Sequence, residues 1–201
     1  MSAPAIVPPA GSSQPAFRRF SVGEYQRMIE TGILTDADKV ELIEGYVELK
    51  MPRNPAHDGS IDLANGRLSS LLLPGWFIRV QQAIELSDSQ PEPDVSVVRG
   101  NRRSFVARHP SPADVGMLAE VSDSSLDRDR IDKGRIYARA RIPIYWIINL
   151  IDRQVEVYTD PSGPTATPAY AKRQIFKVGD AVPVVLDSAL VGSIPVAELM
   201  P

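Results

Sequence analysis

The chain contains no cysteine, which excludes disulfides and thiolate metal sites, so any metal must be held by oxygen or histidine nitrogen. Histidine is scarce too, with two residues in 201, and a zinc site, which draws on Cys and His, is not expected. No segment approaches the roughly 18 consecutive apolar residues of a membrane helix. The opening MSAPAIVPPAGSSQPA lacks the basic region and apolar stretch of a secretory signal, so a cytoplasmic location without membrane contact is expected. No G-x-S-x-G motif is present, which disfavours a metal-independent serine hydrolase. Positive charge is not in excess either. A formal net charge of −3 argues against a protein that coats nucleic acid by charge alone.

What is present suits one domain over residues 17–201, preceded by a tail, 1–16, whose four prolines and lack of charge predict disorder. Ser21 with Glu24 three residues later reads as a capping box, starting a helix to about Glu30. Val40 to Lys50 alternates with period two around Glu44-Gly45 and reads as a hairpin. Ile61, Ala64, Leu68 and Leu71 recur at helical spacing before Pro74-Gly75. Strands are expected at Trp76 to Leu86, Asp94 to Val98 and Met117 to Val121. A helix from about Asp127 to Ala140 then leads to the apolar strand Ile144 to Asn149, in which Tyr145 and Trp146 read as core. Strand, helix and buried strand in succession form a βαβ unit, implying a right-handed crossover and a mixed sheet flanked by helices. Val155 to Tyr158 and Gln174 to Val178 read as a closing hairpin, and Ile194 to Leu199 as a short turn or helix. The fold class is therefore α/β, mixed α+β.

Two acids stand at the ends of apolar runs, Asp94 in PEPDVSVV and Glu120 in GMLAEVS. A carboxylate is costly to bury unless paired, hydrogen-bonded or bound to a cation. Mg²⁺ or Mn²⁺ takes one or two carboxylates and fills its other positions with water and phosphate oxygens, which points to phosphodiester hydrolysis. The alternative is that Asp94 caps a turn and Glu120 pairs with an arginine. Arg99, Arg102, Arg103 and Arg108 follow the first acid. Arg128, Arg130, Lys133, Arg135, Arg139 and Arg141 follow the second. Each cluster reads either as a phosphate-facing surface or as a solvated face. Lys133 shares a helix face with Ile136, Tyr137 and Ala140, so its ammonium is expected to point at the strands. An i to i−4 pair with Asp129 is the competing reading.

The ordered series Pro93-Asp94, Glu120-Val121-Ser122, Asp129, Lys133, Tyr137-Ala138 and Tyr145-Trp146-Ile147-Ile148 resembles the Uma-two family of the PD-(D/E)XK restriction-endonuclease-like superfamily. The resemblance runs from Phe20-Ser21-Val22-Gly23-Glu24-Tyr25 through Val40-Glu41-Leu42-Ile43-Glu44-Gly45 and His57 to about Leu199. It implies a restriction-endonuclease-like core with N- and C-terminal hairpins. It also implies Mg²⁺ or Mn²⁺ on Asp94, Glu120 and the Val121 carbonyl, assistance from Ser122, and a DNA substrate. The position two after Glu120, lysine in the superfamily, is Ser122, and Lys133 on the following helix is the implied substitute. Glu41 enters as a further acid, with an exposed strand residue as the alternative. His57, Arg102, Arg103 and Arg130 are candidate substrate contacts, His57 otherwise a cap or surface residue. Double-strand cleavage implies a homodimer. A catalytically idle member that binds nucleic acid or a protein remains the rival reading.

Overall fold

The computed structural model describes residues 17–201, and the expected disordered tail lies outside the described residues. Helix α1 (Val22–Glu30) opens with the anticipated capping box, in which Ser21 and Glu24 each accept from the other's backbone N–H. Strands β1 (Val40–Ile43) and β2 (Tyr46–Leu49) form an antiparallel hairpin. Its turn requires Gly45, at φ +83°, where a Cβ would lie 2.7 Å from Arg19 Cβ. Helix α2 (Pro55–Leu71) is capped by Asn54, whose side chain accepts from the His57 N–H, and carries Pro55 in its first turn, where a missing N–H costs nothing.

The centre is a mixed sheet of six strands in the order β3-β4-β5-β6-β7-β8. These are β3 (Trp76–Val80), β4 (Val95–Arg99), β5 (Val115–Ser122), β6 (Ile144–Asn149), β7 (Gln154–Pro161) and β8 (Tyr170–Lys177). Only β5 and β6 run parallel. They are joined by α3 (Leu126–Arg128), a π-helical stretch (Asp129–Lys133) and α4 (Gly134–Arg139). All eight residues of β5 are buried, as expected of a strand covered on both faces. Alternation along it sends Met117, Ala119 and Val121 to one side, against Ile61, Ala64 and Leu68 of α2. Leu118 goes to the other, with Ile136 and Tyr137 of α4. Trp146 belongs to the first side and Tyr145 to the second, both buried.

Three expectations need correction. The strand beginning at Trp76 ends at Val80 rather than Leu86, because Gln81 takes a left-handed φ of 51° and turns its N–H onto the Pro93 and Asp94 carbonyls. The expected closing hairpin is present as β7 and β8, but these strands extend the main sheet. A further hairpin, β9 (Ala181–Leu186) and β10 (Ala189–Pro195), lays Val182, Val184 and Leu186 on the α2 side. The helix expected from Asp127 to Ala140 is not uniformly α but contains the π-helical stretch. Ile194 to Leu199 ends, as expected, in a short 3-10 helix, Val196–Leu199. Among the described residues no helix is long and apolar enough to cross a membrane.

Candidate active site

Strands β4 and β5 pair antiparallel with Val95 opposite Ala119, so the next position on each places Asp94 beside Glu120 at one end of the sheet. The two are tied through the backbone. Asp94 N–H donates to Glu120 Oε2 at 3.2 Å and Val121 N–H donates to Asp94 Oδ2 at 2.9 Å. A strand residue points its N–H and C=O to the same edge, so the Val121 carbonyl also faces the Asp94 side. Both acids are buried, Asp94 at 9% and Glu120 at 4% exposure.

Lys133 reaches this pair from the helix. Its ammonium, itself buried, donates to Glu120 Oε1 at 3.1 Å and to Glu41 Oε2 at 3.3 Å. One turn later Tyr137 donates its hydroxyl to Glu120 Oε1 at 2.7 Å. Glu41, on β1, also accepts from Arg128 at 3.0 Å and from the Glu92 N–H at 3.1 Å. It is a buried strand residue, not an exposed one. Ser122, at the usual lysine position, lies on the same strand face as Glu120 but contacts neither acid. Its hydroxyl donates to Asp129 Oδ2 at 2.6 Å, as does Ser125, while Tyr145 donates to the Asp129 carbonyl at 3.1 Å. These three contacts pin the start of the π-helical stretch. A π-turn carries one extra residue relative to an α-turn and recurs at functional sites; here its last residue is Lys133.

His57, at the start of α2, sits with Nε2 3.3 Å from Asp94 Oδ2, and Gln81 donates to Asp94 Oδ1 at 3.3 Å. Arg102 and Arg103 are exposed in a 3-10 turn beyond the far end of β4. Five strand residues at about 3.3 Å each separate that end from Asp94, so these arginines do not line the pocket that Asp94, Glu120, Lys133 and His57 enclose. Arg130 is engaged by Glu156 on β7.

The charges in the pocket are uneven. Burial, the like charges of Asp94 and Asp129, and only partial relief from Lys133 push the Glu120 carboxyl up to about 8. Burial works against ionisation of Asp94, but His57, the Val121 N–H and Gln81 outweigh it and hold this carboxyl below its usual range. Burial likewise opposes the Lys133 charge, yet Glu120, Glu41 and Asp129 raise its pKa. Glu41 faces it as well, so Lys133 has a second carboxylate that favours its charged form. The donors available to a cation are two carboxylates and a carbonyl, all hard oxygens. Among the described residues no three His, Asp or Glu side chains form a ready-made metal cage. This set fits a Mg²⁺-class ion, which keeps several waters and needs only one or two carboxylates, and a cation placed there would favour the ionised form of Glu120.

Sequence reasoning missed three polar contributors. Tyr137 was legible as core, and its i+4 spacing from Lys133 could have marked its hydroxyl. Gln81 and Arg128 carry no signal, since their placement depends on a left-handed backbone turn and on a hairpin 87 residues away in sequence.

A six-stranded mixed sheet with this acid pair at one end defines a restriction-endonuclease-like fold. It is shared with the crystal structure of "a putative nuclease belonging to DUF820" from Anabaena variabilis ATCC 29413, at a TM-score of 0.69 and 15% identity over 90% of this chain and 97% of that one. The chain belongs to the Uma2 family, described as "Putative restriction endonuclease", whose model matches residues 22–191. No curated protein matches it in sequence.

Proposed function

We propose that this protein is a metal-dependent endonuclease of the PD-(D/E)XK type that hydrolyses phosphodiester bonds in DNA. The observation that carries this reading is Lys133, whose ammonium lies 3.1 Å from Glu120. It supplies from the helix the cation that Ser122 cannot supply from the strand.

Asp94, Glu120 and the Val121 carbonyl would hold Mg²⁺ or Mn²⁺. When bound, that ion supplies positive charge against the phosphate oxygens and eases loss of a proton from water. The chain's own groups do the rest. Lys133 keeps a fixed positive charge beside the developing charge of the phosphate, a preorganised arrangement that needs no rearrangement during reaction. Glu41 and Arg128 hold Lys133 in place, Tyr137 orients Glu120, and Ser122 anchors the helix through Asp129. His57 and Gln81 orient Asp94. Arg102, Arg103 and Arg130 are assigned at most to distant backbone contacts. Cleavage of both strands would require two such sites, so a pair of copies is expected, which light scattering would read directly.

The test is cleavage of plasmid and linear DNA by purified protein with Mg²⁺ or Mn²⁺, repeated with chelator and with Asp94→Ala and Glu120→Ala. Nicking by the parent that disappears in both variants, with circular dichroism unchanged, is expected. Cleavage that survives both substitutions or the chelator would assign the activity to another site. A parent that cuts no DNA or RNA would leave a nuclease fold retained for binding alone.

A further inference from the structure

The pocket around Asp94 and Glu120 is small. Its cavity of about 100 Å³ holds a phosphate or a few waters, each water taking about 30 Å³ of liquid volume, and leaves no room for a sugar and base. A second cavity of about 590 Å³ adjoins it, and Lys50, Met51, Arg53, Gln81 and Glu92 line both. That volume lies within the range of small-molecule sites.

The second cavity is part apolar and part polar, and its border carries Lys39, Lys50 and Arg53 against the carboxylates of Asp36 and Glu92. The buried Tyr25 and half-buried Leu34 and Val40 line it, together with Ile29 at 45% and Met51 at 47% exposure. Large apolar side chains left open beside a catalytic pocket are surface awaiting an occupant. Lys50 is paired with Glu92 at 2.5 Å. Lys39 and Arg53 have no carboxylate within ion-pair distance among the described residues, and residues 1–16 contain no Asp or Glu. Tyr25 is buried and gives no stacking face, so a base would lie against Ile29, Leu34 and Met51, while the two unpaired cations suit the phosphates on either side of it.

We infer that this second cavity takes one unpaired nucleobase of the strand whose phosphate lies at Asp94 and Glu120, so that the substrate is single-stranded or locally unpaired nucleic acid. The inference rests on the nuclease reading for the identity of the strand. A base held in a duplex would have to leave its stack to enter, whereas an unpaired one enters without that cost.

Binding with chelator present, where cleavage is stopped, tests this. Three oligonucleotides carry 2-aminopurine: a single strand, its perfect duplex, and a duplex with one extrahelical 2-aminopurine. The single strand and the extrahelical duplex are expected to bind at least tenfold tighter than the perfect duplex, with a change in 2-aminopurine fluorescence. Ile29→Asp and Leu34→Asp should each remove that preference. Leu190→Asp, at a 68% exposed position on β10, should keep it. Should an aspartate variant lose its native circular dichroism, Ile29→Ala reads the same loss of contact without adding charge. Equal binding of the perfect duplex, no binding of any oligonucleotide, or full preference in the folded Ile29 and Leu34 variants would overturn the assignment. Cleavage is read separately with Mg²⁺. Preferential binding of the unpaired base without any cutting ends the nuclease reading and leaves the cavity assignment standing. Cutting with no preference in binding does the reverse.

Discussion

Glu120 and Glu156 lie in one row across the sheet, Glu120 opposite Ile147 and Ile147 opposite Glu156, yet their surroundings drive them apart. Glu120 shares a single lysine with Glu41 and faces Asp94 and Asp129. Burial opposes ionisation of Glu156 also, but Arg130, Tyr158, Asn149 and Arg173 outweigh it and hold this carboxyl at about 2. A carboxyl depressed in the folded state stabilises above its unfolded value near 4.3 and loses that contribution as the pH falls toward 2. The loss amounts to no more than about 3 kcal/mol, and to less because Arg173 is 42% exposed and screened. Urea midpoints measured from pH 6 down to pH 2.5 should therefore fall, and Glu156→Gln should start lower and fall less over that window. At the other acid, Lys133→Met should lower cleavage by roughly 100-fold or more while DNA affinity changes little, since the charge is aimed at the reacting phosphate. Lys133→Arg should not restore the rate, because a guanidinium is larger and the position is only 5% exposed. Rates and binding constants measured side by side would check both.

The element that sets Lys133 is the π-helical stretch, and it is an insertion in geometric terms. Asp129 is held by Ser122, Ser125 and Tyr145 at one end and Lys133 by Glu120 and Glu41 at the other, so both ends are fixed and the extra residue bulges between them. Ile131, 61% exposed, lies in that bulge. Deleting Ile131 should leave a folded chain whose helix is regular, but one of the two anchors must slip. Cleavage should be lost while the melting temperature moves by a few degrees at most. Such a stretch was not legible in the sequence, because the apolar pattern of Ile136, Tyr137 and Ala140 fits an unbroken helix equally well. Period and punctuation did carry the β1–β2 hairpin, the capping box at Ser21 and the strand, helix, strand unit that brings Glu120 and Lys133 together. They did not carry the end of β3, which depends on one residue at positive φ, nor β9, where Val182, Val184 and Leu186 do alternate but Pro183 inside the run argues against a strand. Closeness along the chain also misled. Arg102 and Arg103 follow Asp94 within nine residues, and β4 then carries them to the opposite end of the sheet.

At the scale of the molecule, the site is assembled from contacts of very different reach. Lys133 meets Glu120 across 13 residues, Asp94 meets Glu120 across 26, and Lys133 meets Glu41 across 92. The first two join the six-stranded sheet and its crossover helix, while the third depends on a two-stranded hairpin. That hairpin is tied to the crossover helices by the buried Ile43, which packs with Ile136 and Tyr137, and by a set of ion pairs at the rim. Glu44 accepts from Arg135 at 2.7 Å and from Arg139 at 2.9 Å, and Glu48 accepts from Arg128 at 2.8 Å. Partly exposed ion pairs weaken with salt far more than buried apolar contacts do. Native-state hydrogen exchange should therefore find the β1 and β2 amides opening well before those of β5 and β6, with added salt speeding only the former. On heating, the hairpin should swing away while the sheet is still intact, taking Glu41 with it and leaving Lys133 without its second carboxylate. The protein would then stop cutting several degrees before it melts, and high salt would widen that interval.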